Sequence, residues 1–278
     1  MENERFVPET DFVMARHSKK GKDSTEYEGL SNEGVELAKQ EASKWLGLLD
    51  NAEEGTVMWL GGASEQIRTK STIRALTEEI NNILSQRENN NIELIANDSI
   101  DFEKGFNKAI EELSEKINSS PDKKFIISAP LFIKEFSGEK NRWIGKDNEP
   151  IAYYNELSKK CDGNEKEMLK EWLNNQGHLD GLEGPSPAQV AEEHLYGIKR
   201  LSDLAKEYIP NNPLIIGGVG QSVGLDALAI YLANDGKVNL EGYEKVNATG
   251  IQELEPIKII DGKFSYGDRL EIDLNEHE

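Results

Sequence analysis

Chemistry is suggested first by a dipeptide, Arg16-His17, set between Ala15 and Ser18 directly after the short apolar run Asp11–Ala15. In α/β proteins ligand sites gather at the carboxyl ends of strands, which is where such a pair would sit. A guanidinium presents a planar fork matched to phosphate oxygens, and a neighbouring imidazole can act as nucleophile or proton carrier. Lys19, Lys20 and Lys22 follow, the densest basic cluster in an acidic chain. Taken alone, the dipeptide also reads as a surface histidine in a basic loop. Two further segments bear on that choice. Leu30-Ser31-Asn32-Glu33-Gly34-Val35-Glu36-Leu37-Ala38 follows after a short loop, and Ser64-Glu65-Gln66-Ile67-Arg68-Thr69, with Thr72 beyond, leads from a second apolar run into a helical pattern. An arginine near a helix start joins the free amides and dipole of that terminus; by itself, Arg68 reads equally as a solvated helix-end residue.

The Arg-His-Ser opening, the Leu-Ser-x-x-Gly-x-x-x-Ala helix start and the Ser-x-x-x-Arg-Thr-x-x-Thr segment, in that order, resemble the histidine phosphatase superfamily, which includes the cofactor-dependent phosphoglycerate mutases. The resemblance covers about a third of the chain. It implies that His17 takes a phosphoryl group as a phosphohistidine and that Arg16 and Arg68 grip the phosphate oxygens, where preorganised charge contributes most to catalysis. Ser18 and Lys19 join them as substrate-binding residues. The implied partner is a small phosphorylated substrate or phosphate, with no metal or organic cofactor. The implied general acid is a carboxylate after the second strand–helix unit; Asp98, Asp101 and Glu103 are the candidates, and Glu103 is taken for the role.

One family element departs from the pattern. The second histidine stands on a loop after a late strand, and the matching segment, Leu214 to Ser222, carries Gln221 there. An amide can donate a hydrogen to a phosphate oxygen but supplies no positive charge. Losing a charged transition-state donor costs about 3 kcal/mol, or about a hundredfold in rate. Three readings follow: a slow phosphatase, a phosphate-binding pseudoenzyme, or a variant of an active parent. The acid-phosphatase branch places an aspartate after the second histidine, and Ser222 stands there instead. Of the other histidines, His194 shares a helical stripe with Ala191, Ile198, Leu201 and Ala205 and reads as a buried structural residue, while His178 and His277 have no motif support.

These residues need a scaffold, and the pattern predicts an α/β one: a three-layer αβα sandwich with a mostly parallel sheet, a polar insertion and a C-terminal β-hairpin. Strands are expected at Asp11–Ala15, Thr56–Leu60, Ile92–Ala96, Lys124–Ser128 and Pro213–Gly217. Helical stripes run through Val35, Ala38, Ala42, Trp45 and Leu49, through Ile73, Leu76, Ile80 and Ile83, through Phe106, Ile110, Leu113 and Ile117, and through Leu225, Leu228 and Leu232. Ser186-Pro187-Ala188-Gln189 predicts a helix start with a reciprocal cap. Asp261-Gly262 between Pro256–Ile260 and the run from Phe264 to Leu274 is a hairpin signal. Residues 1–278 read as one domain, with the glycine-broken stretch Gly138–Pro185 as a cap or insertion.

Composition sets the outer bounds. The 278 residues are 37% hydrophobic with 24 glycines, a globular mixture. With 32 basic and 52 acidic residues the net charge is −20, which repels DNA and anionic membranes at long range. No apolar run approaches the roughly 20 residues of a membrane span. The start lacks a secretory pattern, and the single cysteine, Cys161, fits a reducing cytoplasm. Gly218-Val219-Gly220-Gln221-Ser222-Val223-Gly224 superficially resembles a dinucleotide-binding turn, but its final spacing is one residue too long and no acidic strand end follows at the required distance. The expected activity is hydrolysis of phosphate monoesters rather than mutase chemistry, since the insertion has no bisphosphoglycerate-type features. The competing class is a binding module with the same pocket and little turnover.

Overall fold

Alternation along the first strand, β1 (Asp11–Arg16), sorts its side chains onto two sides of a sheet: Phe12 and Met14 enter one buried cluster, Val13 and Ala15 the other. The same sorting recurs in β2 (Val57–Ala63), with Trp59 on one face and Met58 on the other, and in β4 (Lys124–Phe132), with Phe125 and Ile126 opposed. In the computed structural model the described residues are 10–88, 90–96, 102–138, 140, 142–145, 149–246 and 250–274, with backbone alone for 102–106. With β3 (Ile92–Ala96), β7 (Leu214–Gly220) and three C-terminal strands, these elements make an eight-stranded sheet. β1, β7, β2, β4 and β3 are parallel in that spatial order. Helices α1 (Asn32–Asp50) and α2 (Ile67–Ser85) pack on one face. The opposite face carries α3 (Phe102–Ser119), α6 (Pro187–Tyr208) and α7 (Ser222–Ala233). The result is a three-layer αβα sandwich.

Two central strands run further than their residues suggest. Gly61-Gly62 and Gly217-Gly218 look like strand ends, yet β2 continues to Ala63 and β7 to Gly220, pairing Gly62 with Gly218 and Ala63 with Val219. Buried backbone in the middle of a sheet must be hydrogen-bonded, and that requirement overrides the weak strand preference of glycine. Pro213 stays outside β7; its carbonyl accepts the Val57 N–H at 2.9 Å. The C-terminal ribbon turns at Asp261-Gly262, both with positive φ (51° and 73°), as a two-residue hairpin requires. Its second run is broken by a turn at 267–269, so β8 (Pro256–Ile260), β9 (Lys263–Tyr266) and β10 (Leu270–Asp273) form a three-stranded antiparallel edge. Ser186 and Pro187 start α6 as expected, but the Ser186 hydroxyl makes no capping bond.

The stretch 138–185 is not irregular throughout. It holds α4 (Ala152–Lys160), α5 (Glu165–Asn175) and a short hairpin of β5 (His178–Leu179) and β6 (Leu182–Glu183), packed around buried Tyr153 and Trp172.

The helix-start motifs acquire a physical meaning in this packing. The first turn of α1 is pressed onto the loop after β1: the Ser18 hydroxyl donates to the Gly34 carbonyl at 2.6 Å, and the Ser31 N–H donates to the Lys19 carbonyl at 3.0 Å. Ser31 also caps α1 by accepting from the Gly34 N–H. A Cβ at position 34 would lie 2.3 Å from the Lys19 oxygen, so only glycine fits. From the other side, Thr72 accepts the Ser18 N–H at 3.1 Å while its own hydroxyl donates to the Arg68 carbonyl at 2.7 Å, tying α2 to the same loop. In an ordinary helix, alanine would stabilise over glycine by about 0.5–1 kcal/mol. Here the clash dominates: Gly34→Ala is expected to destabilise the protein by about 2 kcal/mol, as overpacking does. Equal or raised stability in chemical denaturation would contradict this packing.

Candidate active site

Three parallel strands end at one edge. Arg16 pairs with Gly220, Ala63 with Val219, and the His17 N–H donates to the Gly220 carbonyl at 3.0 Å. The residues that leave these ends border a common cavity of about 780 Å³, within the size range of small-molecule sites. Arg16, His17, Arg68 and Gln221 all line it.

His17 is 5% exposed, and its Nδ1 lies 2.6 Å from the Ser18 carbonyl. A carbonyl can only accept, so Nδ1 carries the hydrogen and Nε2 keeps its lone pair. Burial, the main cause, lowers the imidazole pKa to about 4; the Ser18 bond opposes the shift, while Arg68 and then Arg16 add to it. The ring is therefore neutral at neutral pH.

The two arginines are held from their outer nitrogens. Arg16 donates through Nη1 to the Ile251 carbonyl at 2.8 Å, and its Nη2 lies 3.2 Å from Glu165 and 3.8 Å from Glu253. Ile251 is itself anchored: its N–H donates at 2.8 Å to buried Asp226, which also accepts from the Tyr266 hydroxyl. Burial raises the Asp226 carboxyl to about 7, against both of those hydrogen bonds. Arg68 donates through Nη1 to Gln66 Oε1 at 3.3 Å and through Nη2 to Gln221 Oε1 at 2.6 Å. The Gln221 amide nitrogen in turn donates to Ser64 Oγ at 3.1 Å. Gln221 thus turns its oxygen, not its hydrogens, to the guanidinium. Gln66 and Gln221 are the N-cap residues of α2 and α7, and neither side chain caps its helix, so two helix N-termini open beside the cavity.

Buried polar atoms without a hydrogen-bond partner are rare in folded proteins. Seven such side-chain atoms occur among the described residues, and five belong to residues around this cavity: Arg16 Nε, Arg68 Nε, Glu65 Oε2, Trp143 Nε1 and His194 Nε2. The other two, on Tyr243 and Ser265, lie elsewhere.

Other residues singled out in the sequence stand apart. The Ser18 hydroxyl is committed to Gly34, and Lys19 Nζ pairs with Glu33 at 2.6 Å; neither borders the cavity. Lys20 does. Asp98, Asp101 and His277 lie outside the described residues, as does the Glu103 side chain. His178 is exposed in β5. His194 is buried as expected, with Nδ1 2.9 Å from the Val190 carbonyl, but it also borders the cavity. Gly218 and Gly220 lie inside β7 rather than in a phosphate-cradling turn. Sequence reading missed Glu65, although it sits within the quoted Ser64–Thr72 segment; from the stretch expected as a cap or insertion, Trp143, Ile144, Tyr154 and Leu157 border the cavity. Among the described residues no group of three or more His, Cys, Asp or Glu could hold a metal ion, and no helix is long and apolar enough to cross a membrane.

No protein-family model matches the sequence, and no curated protein matches it. Among solved structures the chain is similar to a mycobacterial glucosyl-3-phosphoglycerate phosphatase, at 12% identity over 94% of each chain with a TM-score of 0.44. It is also similar to that phosphatase complexed with VO3 (11%, 90% and 91% covered, 0.44) and to a candidate α-ribazole-5′-P phosphatase from Escherichia coli (14%, 91% of each, 0.41). Similarity at this level has no bearing on the reaction; the side chains in the cavity do.

The imidazole environment makes a pH prediction. Between about pH 6.5 and about 4 an unfolded His17 binds a proton that the folded one refuses, so its contribution to stability falls as pH drops through that window. Asp226 acts with the opposite sign up to about pH 7, so a difference measurement is needed. The unfolding free energy of wild type relative to His17→Asn is expected to decrease from pH 6.5 to pH 4, and the His17 ring signals in NMR to titrate near 4. A midpoint near 6.5 would mean that the ring is solvated.

Proposed function

We propose that the protein is a phosphatase that hydrolyses phosphate monoesters through a phosphohistidine intermediate on His17. One observation carries the reading: a neutral imidazole shares a cavity with two arginines whose buried Nε–H donors have no acceptor among the described residues. Buried cationic donors of this kind are complementary to an oxyanion.

In this reading the phosphoryl group lies against Arg16 and Arg68, and His17 Nε2 attacks phosphorus as the bond to the ester oxygen breaks. The Nδ1–H bond to Ser18 holds the tautomer and orients the ring. The departing oxygen needs a proton. Among the described residues Glu65, Glu165, Asp226 and Glu253 border the cavity; Glu165 and Glu253 face Arg16 and Asp226 accepts from Ile251 and Tyr266, whereas Glu65 has one oxygen on the Gly138 N–H and a buried second oxygen without a partner there. Glu65 is therefore the donor. Its carboxylate then takes a proton from the water that attacks phosphohistidine, and phosphate leaves with His17 neutral again.

Gln221 favours a second reading, a phosphate-binding module with little turnover. Its oxygen accepts from Arg68 at 2.6 Å, so the position contributes negative rather than positive potential beside the phosphate site.

Hydrolysis of 4-nitrophenyl phosphate separates the two. Activity that His17→Ala abolishes, with a trapped phosphohistidine in wild type, supports the enzyme; an inert wild type that still binds phosphate supports the module. Gln221→His is expected to raise kcat by about tenfold to a hundredfold, the scale of one charged donor. An unchanged rate would remove Gln221 from the site. In single-turnover measurements Glu65→Gln should slow phosphorylation of His17 by alkyl phosphates by about a hundredfold, within the range of general-acid effects, while sparing phosphorylation by 4-nitrophenyl phosphate, whose leaving group needs no proton. Equal losses on both esters would reduce Glu65 to an anchor for the Gly138 loop.

A further inference from the structure

Away from the strand ends, the cavity is walled by apolar side chains of the segment that follows β4. Trp143, Ile144, Tyr154 and Leu157 border it there. The indole of Trp143 is fixed by its neighbours, with its centroid 5.0 Å from that of buried Trp172 at 62° and 6.1 Å from that of Tyr154 at 84°. Such aromatic packing fixes the orientation of the indole before any ligand arrives. The cavity's volume of about 780 Å³ leaves room for far more than a phosphate group.

Ser158, Glu165 and Lys166 border the cavity beside this wall, but the side chains of Trp143, Ile144 and Leu157 carry a single polar atom, Trp143 Nε1. The indole nitrogens of Trp59 and Trp172 donate to the carbonyls of Ala129 and Pro185 at 3.2 and 2.7 Å. Trp143 Nε1 is equally buried and has no acceptor among the described residues. Ile144 and Leu157 can meet no hydroxyl. A sugar hydroxyl placed against them loses water without gaining a hydrogen bond, which weakens binding by about tenfold or more for each group.

Resting on the phosphatase reading above, we propose that the substrate is a phosphomonoester of an aromatic or aryl-alkyl alcohol, its ring against Trp143 and Ile144, and not a sugar phosphate. The segment 138–185 is then the specificity element, while the strand ends bind the phosphoryl group common to all such esters.

The test compares 2-phenylethyl phosphate with glucose 6-phosphate, two alkyl esters whose leaving groups have similar intrinsic reactivity. Wild type is expected to show kcat/KM at least about tenfold higher for the phenylethyl ester, consistent with burial of an aromatic ring. Ile144→Ser and Trp143→Leu should raise KM for that ester severalfold with kcat little changed, and leave KM for glucose 6-phosphate unaltered. Ile144 is partly exposed, so its variant keeps the test open if Trp143→Leu fails to fold. Equal or reversed preference in wild type, or equal KM shifts for both esters, overturns the assignment. If neither these esters nor 4-nitrophenyl phosphate turns over, the phosphatase reading falls by itself. The wall is then judged by calorimetric binding of the same two esters: tighter binding of the phenylethyl ester sustains it, and equal or weaker binding ends it.

Discussion

The parallel pairing of β1 with β7 is the constraint on which the site depends. It sets Arg16 beside Gly220 and lets the His17 N–H bond the Gly220 carbonyl, joining residues about two hundred positions apart. β2 pairs with the other edge of β7, so the segment carrying Glu65 and Arg68 starts one strand further along the same edge. Strands that run parallel and are buried on both faces must release their chains at one end, and side chains leaving that end meet. The loop after β1 is then clamped from two helices, through Ser18 to Gly34 and Thr72, which leaves His17 little freedom of orientation.

Electrostatics concentrate at that edge. A chain with net charge −20 would repel an anion, yet Arg16, Lys20, Arg68 and Lys166 all border one cavity. The arginines are not idle: Arg16 is offset by Glu165 and Glu253, and Arg68 is engaged by Gln66 and Gln221. Such neighbours keep buried guanidinium groups oriented without ligand, lowering the reorganisation needed when an oxyanion binds. Both arginines nevertheless retain a buried Nε–H without an acceptor among the described residues. Their field also helps keep the His17 imidazole neutral.

Gln221 alters this balance. A histidine there could carry a positive charge; an amide carries a dipole, and its direction is set by neighbours. With Ser64 taking its hydrogen and Arg68 facing its oxygen, the amide acts as an internal ligand for the guanidinium. That geometry is compatible with holding a phosphate and less suited to stabilising charge that develops during transfer.

Much was readable from residue types and spacing alone, because local patterns record local physics. The apolar run Asp11–Ala15 announced a strand, the stripes of α1 and α2 announced their buried sides, and Asp261-Gly262 announced a hairpin turn. Arg16, His17, Arg68 and Gln221 could be selected as residues suited to phosphate chemistry. Their meeting was expected only through the family resemblance; its physical cause, the strand order β1-β7-β2, is not written in residue types or spacing. Tertiary packing also took Ser18 and Lys19 out of the cavity by giving them nearer partners, brought Glu65 into it, and carried β2 and β7 through glycines that read as stops. It built an aromatic wall from a stretch whose polar composition concealed it. Spacing along the chain encodes which face a side chain takes; which neighbours it finds there depends on segments far away in sequence.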